Sequence, residues 1–459
     1  MTVARGLAEF LVGTSAADLP PQAMQHAAMI VASTIASAAC GTAIQSAQII
    51  GQLVREQCGR PDASLWFDMG PKLPVAEVAR ANAMLSDAAA SDDSDLRNIV
   101  HAGTPLTATS LAFAERLGAS GEDVLSAIVL GYEAAGRISE PITPGFRSRG
   151  FHGCLGAVFA AAVAASRLLQ LNAAQMAQSI AIAATSIGGL ATAADTSVAR
   201  EYHAGLAAQL GVNAALAAQR GYLAEERILE TYQGFFESFG GVDGATAGSI
   251  AMRDVGQSWD IITDMAIKLV PGGHPYHAIG EAAANAARDG SIVASQVASV
   301  TISRPGMTAL SGPLHPTDLI EMAHSPAYFA AAGVADHAFS WAHASAAKIS
   351  DPVIHQLIDK VRVGTPPIEN AARYRQGATV TVQTHDGRAS TNTVYLPKGA
   401  GALGIAWSDV DAKYRTLVPA AGLSQGAIEA SLELIHGFRD AADVSTLIRL
   451  LDPAAAADA

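Results

Sequence analysis

Cys154-Leu-Gly-Ala-Val-Phe-Ala-Ala-Ala-Val-Ala-Ala-Ser-Arg-Leu-Leu169 carries one charge in sixteen residues and no turn-forming pair. Alanine costs least in a helix, so the stretch reads as helix, and a helix apolar on all faces must be buried. Ala173–Ala184 and Ala204–Arg220 have the same character. Such helices are covered either by a core or by a second subunit, which predicts an obligate oligomer, most simply a twofold homodimer. Working outward, Ala23–Ala39 reads as an apolar helix that begins at Pro20-Pro21 and stops at Gly41, and Val75–Leu85 as another. Ser120-Gly-Glu-Asp123 supplies a cap and an acidic first turn for Val124–Arg137. Residues 1–265 are therefore consecutive helices.

The pattern changes near residue 290. Val297-Ala-Ser-Val-Thr-Ile-Ser303 and Ala378-Thr-Val-Thr-Val-Gln-Thr384 alternate as strands do. The second leads through His385-Asp-Gly-Arg388 into Ala389–Leu396, which predicts a hairpin. Helices over Pro326–Phe339 and Pro352–Val361 lie between them, making an α+β module of ordinary domain size. Beyond Pro397-Lys-Gly399 the chain returns to helix over Ser408–Leu417, Ser424–Leu434 and Ala441–Leu451, either as a subdomain or rejoining the helical body. The ending, 453–459, reads as frayed.

Composition narrows the function classes. The chain has 459 residues, 50% hydrophobic but only 5% aromatic, with 29 Lys and Arg against 42 Asp and Glu, a formal charge of −13. An acidic balance argues against nucleic acid, yet leaves room for an anionic small molecule in a locally cationic cleft. Three scattered cysteines, with no Cys-x-x-Cys pair, exclude a disulfide framework and an ordinary zinc ribbon. The opening lacks a signal-peptide core, and the most apolar stretch, Gly153–Ala165, is too short to span a bilayer. A cytoplasmic protein with no membrane partner is expected.

Five segments could carry chemistry. Asp92-Asp-Ser-Asp95 before His101-Ala-Gly103 is ordinarily a solvated helix cap; the alternative is an acid/base site, with His101 on a turn and exposed enough to use. Arg147, Arg149 and His152 precede the Cys154 helix, where an N-terminus with cations could hold an anion, or simply form a polar loop. In Arg200-Glu-Tyr-His203, the arginine could clamp a carboxylate, while His203 reads as structural. Lys268 through Pro271-Gly-Gly-His274-Pro-Tyr-His277 offers a cation and two titratable rings. Two histidines without an acid fall short of a metal site, so neither metal nor cofactor is expected. His324-Ser-Pro-Ala-Tyr328 opens a helix, with the tyrosine either in the core or aimed into a cleft. No phosphate-loop, Rossmann or nucleophile-elbow pattern is present. Proton transfer on an anionic small molecule fits this inventory.

Read in order, the chain resembles the 2-methylcitrate dehydratase family (MmgE/PrpD) over nearly its whole length. The resemblance runs through Leu7–Gly13, Asp18–Pro21, Asn82, Asp92-Asp-Ser94, His101-Ala-Gly103 and Ser120–Leu125. It continues through Gly131-Tyr-Glu133 with Arg137, Gly150-Phe-His152, His203-Ala-Gly205, Lys268 with Pro271 and His277, and Pro397-Lys-Gly399. It implies a large all-helical domain, 1–268 and 400–459, plus a smaller, lid-like α+β domain, 269–399, in a homodimer with the active site between domains. It implies a cofactor-independent, metal-independent lyase of a small di- or tricarboxylate, acting as a dehydratase or decarboxylase. A dicarboxylate epimerase resembling iminodisuccinate epimerase is the alternative, and a non-catalytic binding relative a third. His101, His152, Lys268, His274 and Tyr328 are then the catalytic candidates. Asp93, Ser94, Arg200 and His277 are the substrate-binding ones. Three departures from the family pattern bear on the substrate. Ala90 stands where an acid is usual, Arg200 replaces a usual lysine, and the stretch after Phe151-His152 is shortened. The Ala90 change favours the epimerase more than family frequency alone would.

Overall fold

The structure is a computed structural model and describes residues 1–68 and 70–454; the expected fraying of 455–459 lies outside the described residues. The chain forms two compact units. One comprises 1–194, 198–267 and the C-terminal stretch from 405; the other comprises 195–197 and 268–404.

The first unit is built almost wholly of helices. In Cys154–Leu168 every residue except Arg167 is buried. It packs against Gly121–Ser139, Ala199–Gln219 and Gly103–Leu117 of the same unit. The chain itself thus covers this apolar helix, and its composition alone is no argument for a second subunit. Pro21–Gly41 is long and apolar enough to cross a membrane, but 89% of its apolar window is buried in the protein, as for a core helix. Gly121–Ser139 begins with the reciprocal cap expected from Ser120: its Oγ accepts from Asp123 N at 3.2 Å, and Asp123 Oδ2 accepts from Ser120 N at 3.1 Å. The C-terminal stretch rejoins this unit. Trp407–Leu417 lies on Pro21–Gly41, and its buried Lys413 donates to Ser33 Oγ at 2.7 Å and to the carbonyl of Ser91. The last helix is shorter than expected, Ser445–Leu450, because Phe438–Asp440 closes as a separate turn and the Ala441 carbonyl accepts from Gly121 N at 2.9 Å.

The acid run is not a solvated cap. Asp93–Asp95 forms a short antiparallel ladder with Met265–Ile267, and Asp92, Asp93, Ser94 and Asp95 are all buried. Polar triplets have low strand propensity, so periodicity could not announce this pairing. Behind it sits a paired charge network. Arg97 meets Asp260, Asp264 at 3.2 Å and Glu140 at 3.1 Å, and Glu133 accepts from Asp260 N at 2.9 Å.

The second unit has a four-stranded sheet in the order Val361–Val363, Val297–Ser303, Ala378–Thr384, Ala389–Val394. The first pair is parallel and the others antiparallel. Val300, Ile302, Val380 and Val382 face a core shared with helices His274–Asp289, Pro326–Asp336 and Pro352–Ile358. The strand Val361–Val363 was not expected, and it begins at the last residue of the helix expected over Pro352–Val361. The helix stops at Ile358, and three residues with Arg362 between two valines are too few to show a strand period.

Two outcomes follow. A Cβ at Gly103 would lie 2.4 Å from Asp93 Oδ1 and 2.9 Å from the Ile30 methyl, while Gly103 N donates to Asp93 Oδ1 at 2.9 Å. Gly103→Ala should therefore cost about 1–3 kcal/mol in urea unfolding, as overpacking does; unchanged stability would show that the acid loop yields freely. Burial and the nearby Asp264 raise the Asp95 carboxyl to about 6, against an ordinary unfolded value of about 3.9. Between those values the folded chain keeps a proton that the unfolded chain releases, so stability falls as pH rises through the window. Asp95→Asn cannot ionise. The wild type should lose on the order of 1–3 kcal/mol relative to this variant between pH ~4 and ~6, and a pH-independent difference would contradict the assignment.

Candidate active site

In the first unit, three segments bring titratable groups together. The end of helix Val75–Asp87 supplies Asp87 and the stretch after it Asp92 and Asp93; the turn before Gly103–Leu117 supplies His101; the segment leading into Cys154–Leu168 supplies His152. Ala199–Gln219 supplies Arg200 and, one turn later, His203.

His101 Nδ1 contacts Asp92 Oδ2, the Asp93 carbonyl at 2.8 Å and Ser94 Oγ at 3.4 Å. Two of these partners only accept, so the hydrogen sits on Nδ1 and proton exchange falls to Nε2. His101 is half-buried, as a usable imidazole must be. Its ring stacks on that of His152, with centroids 5.9 Å apart and planes at 19°; the His203 ring follows at 5.4 Å from His152. Three imidazoles thus form a row with a carboxylate at one end. Burial, reinforced by the charges of His101, His203, Arg200 and Arg147, holds His152 well below the ordinary histidine range. His152 is therefore neutral at pH 7 and suited to accept a proton. Burial also lowers His203, with Asp87 opposing.

Arg200 is buried and paired within the protein. Its Nε lies 3.3 Å from Asp87 Oδ2, and Nη2 donates to the carbonyls of Asp87 and Ala88. It positions the acid loop, in place of the expected carboxylate clamp on a ligand. The carboxylate missing at Ala90 has a counterpart: Asp87, Asp92 and His101 place one ligating atom each within 4.8 Å of one another. Asp93 accepts from Gly103 N, and Ser94 borders His101. Arg147 and Arg149 are exposed.

A second set of such atoms within 4.8 Å comes from His152, Cys154 and His203. The second cluster takes His203 from a helix some fifty residues beyond His152 and Cys154, which is why spacing within a single segment did not reveal it. Asp87 and Cys154 gave no sequence signal, although Cys154 stands two residues from His152, and His203 read as structural; only the fold brings His203 to His152.

In the second unit, Lys268, His274 and His277 are buried. Gly272, with φ +95°, turns the chain so that its carbonyl meets His277 Nε2 at 3.2 Å. The His274 and His277 rings are 4.7 Å apart. Tyr328 lies where the core reading of its segment placed it. It is fully buried in the core of this unit, and its hydroxyl donates to the His343 carbonyl at 3.0 Å. Burial raises that hydroxyl above the ordinary tyrosine range, which suits a structural bond.

The chain is 23% identical to cis-aconitate decarboxylase of Homo sapiens over 98% of its own length and 94% of that protein. It is 28% identical to cis-aconitate decarboxylase of Aspergillus terreus over 48% of this chain and 47% of the fungal one. It is 34% identical to a cis-aconitate decarboxylase-like protein of Aspergillus oryzae, over 28% of this chain and 27% of that protein. The model of the MmgE/PrpD N-terminal domain matches residues 5–246 and that of the C-terminal domain residues 271–435, so the chain belongs to the MmgE/PrpD family.

Proposed function

We propose that this chain is a cofactor-independent lyase that moves a proton at a carbon adjacent to a carboxylate of a small tricarboxylate or dicarboxylate. A decarboxylation like that named for its relatives is the first reaction to test. The observation that carries this is the row Asp92–His101–His152. Asp92 fixes the His101 tautomer and stabilises the imidazolium when it forms, and the neutral His152 ring is the complementary base. In a decarboxylation the bond to the departing carboxylate breaks, its electron pair stays on carbon, and an imidazolium Nε2 delivers the proton that completes the product. The imidazole left behind takes a new proton from solvent, one per turnover, and His152 can pass it along the pair. In a dehydration the same two groups take a proton from carbon and give one to the leaving hydroxyl.

Asp93 and Ser94 flank His101 and are assigned to substrate contact. Lys268, His274 and His277 form a separate basic group able to hold a carboxylate. The epimerase alternative drew its weight from the acid absent at Ala90. Asp87 brings a carboxylate to the same cluster, which favours the lyase.

Proton NMR in D2O with cis-aconitate, 2-methylcitrate and other small polycarboxylates should show new vinylic signals with deuterium at the protonated carbon. Exchange of an α-proton with no alkene change would transfer the assignment to the epimerase. On the active substrate, His101→Ala and His152→Ala should each lower kcat about 100- to 10,000-fold, the range for a lost acid/base group. Full turnover in both would remove the site. Asp92→Asn should lower kcat by a smaller factor while leaving KM nearly unchanged, because it disturbs tautomer and charge without touching substrate; a KM effect alone would contradict this role.

A further inference from the structure

We propose that His152, Cys154 and His203 form a binding site for a divalent ion of zinc type, with three protein ligands and one position left open. One ring nitrogen of each histidine and the Cys154 Sγ lie within 4.8 Å of one another, so small rotamer shifts close a tetrahedral set. The donor set of imidazole and thiolate is the one that borderline and soft cations prefer over calcium or magnesium.

Two independent observations point to a ligand here. The Nδ1 atoms of His152 and His203 are both buried and have no hydrogen-bond partner among the described residues, an arrangement that costs free energy unless something occupies them. The space beside Cys154 Sγ and His203 Nδ1 is kept open by a residue without a side chain. At Gly189, φ is +125°, and a Cβ there would lie 2.3 Å from Cys154 Sγ and 3.3 Å from His203 Nδ1. Only glycine accepts that backbone and leaves the space beside the sulfur and the ring. The Gly188 carbonyl now receives the thiol hydrogen at 3.2 Å, and the Gly189 carbonyl accepts from His152 N at 3.0 Å, so the loop is held against the ligand set.

On binding, the Sγ–H bond breaks, the proton passes to solvent, and the sulfur lone pair forms the bond to the ion; no oxidant or reductant takes part. Asp87, whose carboxylate reaches this region, adds negative charge that favours a cation. An ion here withdraws His152 from proton transfer and so inhibits. That consequence rests on the proposed reaction, whereas binding of the ion does not.

X-ray absorption at the zinc edge of the full-length chain loaded with one equivalent of zinc should show a sulfur scatterer at about 2.3 Å and nitrogen scatterers at about 2.0 Å. A first shell of nitrogen and oxygen alone overturns the proposal and does so without any variant. Competition against a chromophoric zinc chelator gives the second readout. Cys154→Ser should weaken zinc binding at least about 100-fold, the upper end of what loss of a supporting group costs. Cys40→Ser and Cys58→Ser should leave it unchanged. Zinc bound as tightly by Cys154→Ser as by the wild type also overturns it.

Discussion

The ion pair between Arg200 and Asp87 joins the two segments on which the candidate site depends. A buried guanidinium is tolerable only when its charge is paired, and Asp87 pairs it while two backbone carbonyls accept from Nη2. Removing one partner of such a pair typically costs about 3–5 kcal/mol, so the loop has little freedom to leave the helix. One turn beyond Arg200, the same helix presents His203 to His152, and His152 in turn stacks on His101. The geometry of the three rings thus descends from a contact that itself does no chemistry.

Close helix approach is the second requirement. Alanine along Cys154–Leu168 and glycine opposite it let backbones come nearer than larger residues allow; at Gly211 a Cβ would lie 2.6–2.7 Å from Ala161, Ala162 and Val158. The polar groups that define the site therefore sit in an interior with little spare volume, and their positions are set by packing on every side.

Long periodic elements were legible in the sequence. Ala173–Ala184, Val297–Ser303 and Ala378–Thr384 have the limits that hydropathy alone suggests, because burial on one face or all faces imposes a strong pattern over many residues. Val361–Val363 and Asp93–Asp95 were not legible, since three residues cannot display a period and acids do not announce a strand. His101 and Asp92 could be picked out from a turn rich in acids. The burial of the acids that follow Asp92 could not, because the strand paired with Asp93–Asp95 is Met265–Ile267, some 170 residues away in the chain. Arg200 was singled out as a clamp on a ligand carboxylate, and the carboxylate it meets in this structure is that of Asp87. Tyr328 carried two readings that sequence could not separate, and the neighbour that decides between them, the His343 carbonyl, comes from a different turn.

Lys413 sets an order on how this protein comes into being. Its ammonium group grips the carbonyl of Ser91, next to the acid that orients His101, from a helix near the end of the chain. A ribosome that has already released the first 260 residues has not yet supplied this tether. Domains generally fold as units during synthesis, but here the helical unit is split by the insertion of the other, and its acid loop must wait for the final helices. A nascent chain, or one clipped ahead of residue 405, holds every proposed proton-transfer residue and still lacks the hand that steadies them.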